Sequence, residues 1–507
     1  MQRREALKSM LGLSVAAAAC SPFPALANLA SANEDIMAQF ATSFDKAVLN
    51  NPNLIGLKSM SGDIPWQNLT IEGKLPKALR GNFYRNGPAV HQRNGQRYTH
   101  LFEGDGMIQH FNFTDTGIQH RAKFVKTNKY TQEQAADKFL FSGPNSKLPG
   151  SLPVNKTDII NAANTNIIPV NGELWALWEA GSATAIDASS LDAKGLVNLG
   201  ENTRYGNSLK GLAFSAHPKI EADGTIWNFG STVTGDIVLY HLNNRGITQK
   251  VNLLKTNYRG GMLHDFLITQ NNILIILPSL DRDKTDERLF SAIRFNNSLP
   301  MKVLVIDKNT LTLTREYQVD AGFAFHFGNA WEDTDGTIRF DASLYPNCEN
   351  LHHMSDLMRG KTSDATPANT VLFTLYKNGS AHKQTIAGIS EFPRVYDHLT
   401  GLQNNLLVTL SSIQSDVWSD SVRVINVNNG KQDTFVYGED FLVEEHVIVD
   451  NSHQEGNGYL VGTALHVPSK RTCVNVFKVG HVSDGPVCRA WLGQALSLGF
   501  HGNFLTL

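Results

Sequence analysis

The stretch DGTIWNFG (223–230), followed by IVLYHLNNRGITQKVNL (237–253), decides the fold. It contains a turn dipeptide, a short apolar strand, then two strands of alternating apolar and polar residues joined at Asn243-Asn244-Arg245-Gly246. Period-two apolarity with Asn, Asp and Gly at the bends is the signature of a β-hairpin. The same hairpin pattern begins at Met107, Ala183, Val303, Val371, Val422 and Val474. The turn-and-strand element that precedes it also recurs, after Asn171-Gly172, Asn271-Asn272, Asp335-Gly336, Asn404-Asn405 and Asn457-Gly458. The tetrad DGTI occurs twice in this role, at 223–226 and 335–338. Two inner strands plus an outer hairpin make a four-stranded unit, and such units set radially form a β-propeller. The sequence is therefore read as all-β, a seven-bladed β-propeller. A large β-sandwich or a pair of all-β domains would leave the regular spacing unexplained.

The repeat accounts for a chain of 507 residues without dividing it. One domain is expected over 61–507, after an N-terminal extension at 28–60. Residues 130–160 and 278–300 break the pattern with mixed charges and helix-compatible runs, and are read as insertions forming a helical or loop cap over one end. With 41% hydrophobic and 18% charged residues, the composition is globular. A net charge of -2, with no basic run beyond the N-terminus, excludes a nucleic-acid footprint. Oligomeric state leaves no mark in the sequence.

Residues 1–27 read as a signal peptide: Arg3-Arg4, an uncharged apolar run from Met10 to Cys20, and Ala25-Leu26-Ala27 as a small-residue cleavage site. The paired arginines point to twin-arginine export into a bacterial periplasm. An ordinary leader, or lipidation at Cys20, are the alternatives. Past that point Cys348, Cys473 and Cys488 remain. Cys473 and Cys488 flank one hairpin, and a disulfide or two buried thiols are both open readings.

Three of the 17 histidines recur at related places. His217 lies seven residues before Gly224, His264 seven before Asn271, and His326 ten before Gly336. Each falls on the first strand of its blade, the strand that lines a propeller's axis. His501, close to the last residue, can join them if the chain end closes the ring. Imidazoles from separate blades meeting on one axis suit a transition metal. No G-x-S-x-G, P-loop or H-E-x-x-H occurs to suggest other chemistry.

With these residues in view the chain resembles the carotenoid cleavage oxygenase family, which includes the retinal pigment epithelial membrane protein and the lignostilbene dioxygenases. The motifs run in order: GKLPKALRGNFYRNGP (73–88), HLFEGDGM (100–107), NTNIIPVNGELWALWEAG (164–181), FSAHPK (214–219), LHDF (263–266), FHFGNAWED (325–333), EFPRV (391–395) and HGNF (501–504). The resemblance implies one Fe(II) per subunit held by His217, His264, His326 and His501, with O2 as co-substrate. It implies oxidative cleavage of a C=C bond of a carotenoid, apocarotenoid or stilbenoid to two carbonyl products. It also implies three glutamates that orient imidazoles: Glu179, Glu391 and, in a segment lacking the family's prolines, Glu439, with Glu444 or Glu445 as runner-up. Non-oxygenolytic isomerisation, zinc hydrolysis and a binding propeller are the competing functions. Phe102, Phe139, Phe141, Phe290 and Phe295 are candidates for a substrate tunnel or for core. Tyr98, displaced by one residue, and Lys129 lie in the region where stilbene enzymes would hold a phenolate, with a solvated Lys129 as the default reading. Apolar residues in 286–300 are candidates for a peripheral membrane contact.

Overall fold

The computed structural model describes residues 26–506 except 233, 416 and 451, with side chains from residue 36 onward. The leader expected over residues 1–27 lies almost wholly outside this range. No described helix is long and apolar enough to cross a membrane.

Seven antiparallel sheets of four or five strands form the seven blades, accompanied by two small two-stranded ribbons. Five of the seven hairpins read from the sequence are the outer pair of a blade, among them Ile237–Leu242 with Thr248–Leu254 and Ser421–Asn426 with Gln432–Val436; those beginning at Met107 and Val474 each carry one further strand outside them, Ile64–Asn68 and Thr70–Gly73. The turn-and-strand elements are the second strands, among them Ile226–Ser231 and Ile338–Tyr345. The glycines of both DGTI tetrads carry positive φ, 84° at Gly224 and 79° at Gly336. A side chain would strain that conformation, which is why the bends read so clearly.

The two end regions of the chain exchange strands, each completing a blade built mainly from the other. Gly502–Thr506 becomes the innermost strand beside Gly81–Val90, and Thr70–Gly73 becomes the outermost beside Cys488–Trp491. This closure brings His501 to the axis. Between blades the core is aliphatic and aromatic: Leu267, Val303, Val305, Phe340 and Phe373 pack together, as do Leu79, Phe111, Val461, Val474 and Val476.

The cap differs from expectation. Residues 128–136 form a helix (Asn128–Ala136), but 278–300 forms a two-stranded ribbon, Leu280–Arg282 with Ile293–Phe295. Its apolar residues Phe290, Ala292 and Ile293 are buried, whereas Leu299 at its end is exposed. The other helical parts are Glu349–Met358 and the N-terminal helix Leu26–Asn50. They share a core in which Met37, Phe44, Leu357 and Met358 meet Trp418, Leu498 and Phe500 of the propeller. Cys473 and Cys488 are buried free thiols. They are not cross-strand neighbours, since Cys473 pairs with Trp491 and Cys488 with Val476.

Candidate metal centre

Four innermost strands begin next to the axis, and each carries a histidine on the extended backbone beside it. His217 precedes Lys219–Ile220, His264 precedes Leu267–Ile268, His326 lies between Phe323–Ala324 and Ala330–Glu332, and His501 precedes Gly502–Thr506. The histidines thus stand at strand entrances, a residue or more outside the paired register expected for them. There the backbone is free of ladder geometry and the rings can tilt inward. All four are buried. One ring nitrogen of each lies within 4.8 Å of those of the other three. His217 and His264 face each other through their Nε2 atoms at 2.9 Å.

Carboxylates hold three of the rings from behind. His264 Nδ1 lies 3.1 Å from Glu179 Oε2, His326 Nδ1 lies 2.6 Å from Glu391 Oε2, and His501 Nδ1 lies 2.9 Å from Glu445 Oε1. A carboxylate accepting the Nδ1 proton fixes the tautomer and leaves a lone pair on Nε2. Glu179 and Glu391 stand where the sequence reading placed them. Glu439 does not: it is exposed in the turn before the strand Phe441–Val449, and Glu445 takes its role. The cause is a β-bulge between Val443 and His446, which interrupts strict alternation at Glu444 and Glu445 and leaves both buried. Glu445 meets His501, whereas Glu444 forms an ion pair with Arg85 at 2.6 Å.

Burial favours the neutral form of two of the rings, His217 and His501. Burial, with the neighbouring His264, His501 and His326, drives His217 well below the ordinary histidine range. Burial brings His501 down to about 4 against the pull of Glu445. For His264 burial also disfavours the charged form, but Glu179 outweighs it and the net shift is upward. Glu445 is held at about 2: burial raises it, and Arg394 together with His501 more than compensates. Glu391 is lowered in the same manner, with burial outweighed by His326 and by hydrogen bonds from Tyr345 and its neighbours.

Lone pairs converging in a buried space repel one another and cost about 1–3 kcal/mol each when left unpaired. His326 Nε2 is such an atom, buried with no hydrogen-bond partner. A divalent cation on the axis satisfies every one of these nitrogens, so the donor set fits a metal.

The cluster opens into a cavity of about 870 Å³, within the range of small-molecule sites. Phe102 stacks above His264 at 6.4 Å and meets Phe290, Phe325 and Phe500 edge to face. Phe392 stacks on His326 at 5.1 Å. The helix Glu349–Met358 and the ribbon at 280–295 supply Met354, Leu289 and Phe290 to the roof. Of the five phenylalanines singled out in the sequence, Phe102 and Phe290 line the cavity; Phe139, Phe141 and Phe295 do not. Phe325, Phe392 and Phe500 were missed, although each neighbours a motif histidine or glutamate. Tyr98 and Lys129 lie outside the cavity lining. Lys129 is buried against Asp105 at 2.6 Å and Glu133 at 3.3 Å, and Tyr98 donates to Glu133 at 3.3 Å. They form an internal ion network, not a phenolate holder.

Four imidazoles on the axis of a seven-bladed propeller, three of them backed by carboxylates, define a protein with a candidate axial-histidine metal centre. The chain belongs to the Retinal pigment epithelial membrane protein family, whose model matches residues 59–506. Similar proteins include apocarotenoid-15,15'-oxygenase of Synechocystis sp., 29% identical over 65% of this chain and 70% of that protein. Lignostilbene-alpha,beta-dioxygenase isozyme III of Sphingomonas paucimobilis is 27% identical over 88% of this chain and 94% of its own. Isoeugenol monooxygenase of Pseudomonas nitroreducens is 29% identical over 89% and 98%. The crystal structure of cobalt-substituted Synechocystis apocarotenoid oxygenase shares the fold, with TM-score 0.80 and 21% identity over 90% of this chain and 99% of that one.

Proposed function

We propose that this protein is a non-haem Fe(II)-dependent oxygenase that uses O2 to cleave a C=C bond of an apolar, conjugated substrate of the carotenoid, apocarotenoid or stilbenoid class. The observation that carries the reading is the axial cluster of His217, His264, His326 and His501, of which His264, His326 and His501 line an aromatic cavity. The oxygenase names of the relatives support it over isomerisation.

Ferrous iron, when bound by the four histidines, supplies the redox chemistry that lets O2 react with a closed-shell alkene. The chain's own residues do the rest. Glu179, Glu391 and Glu445 fix the tautomers and supply negative charge that offsets the cation. Phe102, Phe325, Phe392 and Phe500 exclude water and confine a planar polyene or arene beside the histidines. Overall, the alkene and O2 become two carbonyl compounds, each carrying one oxygen atom. The balance needs no external reductant and no net proton transfer.

The test is aerobic incubation of iron-loaded protein with apocarotenals, carotenoids and stilbenes under 18O2. Carbonyl products are trapped at once by borohydride and read by mass spectrometry. Labelled cleavage products are expected; an isomerised substrate with no label would overturn the reading. Twin-arginine export is a separate part of the proposal, supported by Arg3-Arg4 ahead of the apolar run. Replacing both arginines by lysine is expected to leave the protein in the cytoplasmic fraction.

A further inference from the structure

We propose a second metal site, for zinc or a similar divalent first-row ion, formed by His398, Asp450 and His453 on the side of the histidine layer away from the cavity. His398 and Asp450 lie just beyond the two innermost strands that carry Glu391 and Glu445, Glu391–Arg394 and Phe441–Val449. Asp450 comes five residues after Glu445, about 16 Å along an extended chain. None of the three lines the cavity. His398 sits in the turn Asp397–Leu399 of one blade, and Asp450 and His453 in the turn after Phe441–Val449 of the next. The site therefore bridges two blades.

Three observations point to a cation. One ligand atom from each residue lies within 4.8 Å of the others. Asp450, with its side chain only 10% exposed, has its Oδ2 2.9 Å from His398 Nδ1 and 3.9 Å from His453 Nδ1. Yet this buried Oδ2 takes no aligned hydrogen bond from any described residue. Its companion Oδ1 is fully used, accepting from the backbone of Ser452 at 2.9 Å and of His453 at 3.0 Å. Two nitrogens and an oxygen bound to zinc at about 2.0–2.1 Å in a tetrahedron stand about 3.3 Å apart, and the observed separations straddle that value. Three protein ligands leave the fourth position to water. The rings present Nδ1 to Asp450 here, the reverse of the axial site, where Nδ1 faces the glutamates.

The two turns are already joined without metal. Tyr396 Oη donates to Asn457 O at 2.8 Å and accepts from Gly456 N at 2.9 Å. The cage is thus held in place before the ion arrives, and the metal acts as a staple between the last two blades of the ring.

The experiment uses the full chain loaded with iron, dialysed against zinc alone, and counts retained zinc by mass spectrometry. Whatever zinc enters the axial site is common to all variants, so the readout is a difference. His453 is 83% exposed on its side chain, so His453→Ala leaves the fold intact. Wild type is expected to retain one more zinc per chain than His453→Ala or Asp450→Asn, and His453→Cys is expected to restore it. Zinc should raise the Tm of wild type and not of His453→Ala. Equal zinc content in wild type and His453→Ala would overturn the site, whatever the outcome at the axial histidines.

Discussion

Glu445 Oε1 lies 2.9 Å from His501 Nδ1, joining a bulged strand of the last blade to a histidine 56 residues later at the chain end. The same carboxylate accepts from the Gly502 backbone at 2.9 Å and faces Arg394 at 3.1 Å. Glu445 therefore anchors the strand that closes the propeller as well as the ring at its centre.

Glu445→Gln is expected to lower iron retention and kcat/KM by about 10–100-fold, the usual effect of losing a residue that orients a metal ligand. Glu439→Ala, in an exposed turn, should leave both unchanged. Iron content after dialysis and steady-state rates on one substrate decide the matter. Equal loss in both variants would refute the assignment of Glu445.

A gentler effect is expected at Tyr345, whose hydroxyl donates to Glu391 Oε1 at 2.7 Å. Glu391 keeps His326 and the Phe392 backbone as partners when that bond is removed. Tyr345→Phe should cost at most about 1.5–3 kcal/mol, the worth of a hydrogen bond to a charged group, and because the other partners remain the loss in kcat/KM should stay below that of Glu391→Gln, with near-normal iron content. A loss as large as that of Glu391→Gln would show that the phenol does more than steady a carboxylate.

The blades were legible because each hairpin alternates apolar and polar residues and each bend uses Asn, Asp or Gly; those local preferences agree with the global fold. His217, His264 and His326 were legible because they recur at similar distances from such bends. Glu445 was not, since a bulge displaces it from the alternation that locates every other inward residue. The helix Glu349–Met358 was missed because its polar residues mask the apolar spacing of Leu351, Met354, Leu357 and Met358. That spacing is the signal by which it was recoverable. The ribbon at 280–295 escaped because its paired strands are three residues each, too short for any period to register.

Acid sensitivity follows from buried histidines outside the axial set. Burial lowers His100, His110 and His120 to about 3 each. Between pH 6.5 and 3 the unfolded chain protonates them and the folded chain does not. Their stabilising contribution is thus complete above pH 6.5 and lost as pH falls toward 3. Asp341, raised by burial to about 7, acts in the opposite sense, so a differential test is needed. His120→Gln should unfold in denaturant with a shallower dependence of stability on pH over that window, by up to about 1.4 kcal/mol per pH unit. Parallel curves for variant and wild type would show that His120 does not titrate as described.

Lys129 separates a structural role from a substrate-binding one. Its ammonium sits between Asp105 and Glu133, all three almost wholly buried, with Arg93 on the far oxygen of Asp105 at 3.1 Å. Lys129→Met removes one cation from a buried network with two carboxylates. Such breakage typically costs about 3–5 kcal/mol, so a marked fall in unfolding free energy is expected. Folded variant should nevertheless show the same ratio of kcat/KM for a phenolic stilbene and for its methoxylated analogue as wild type, because Lys129 does not line the cavity. A selective loss toward the phenol, with stability unchanged, would place the ammonium on the substrate instead.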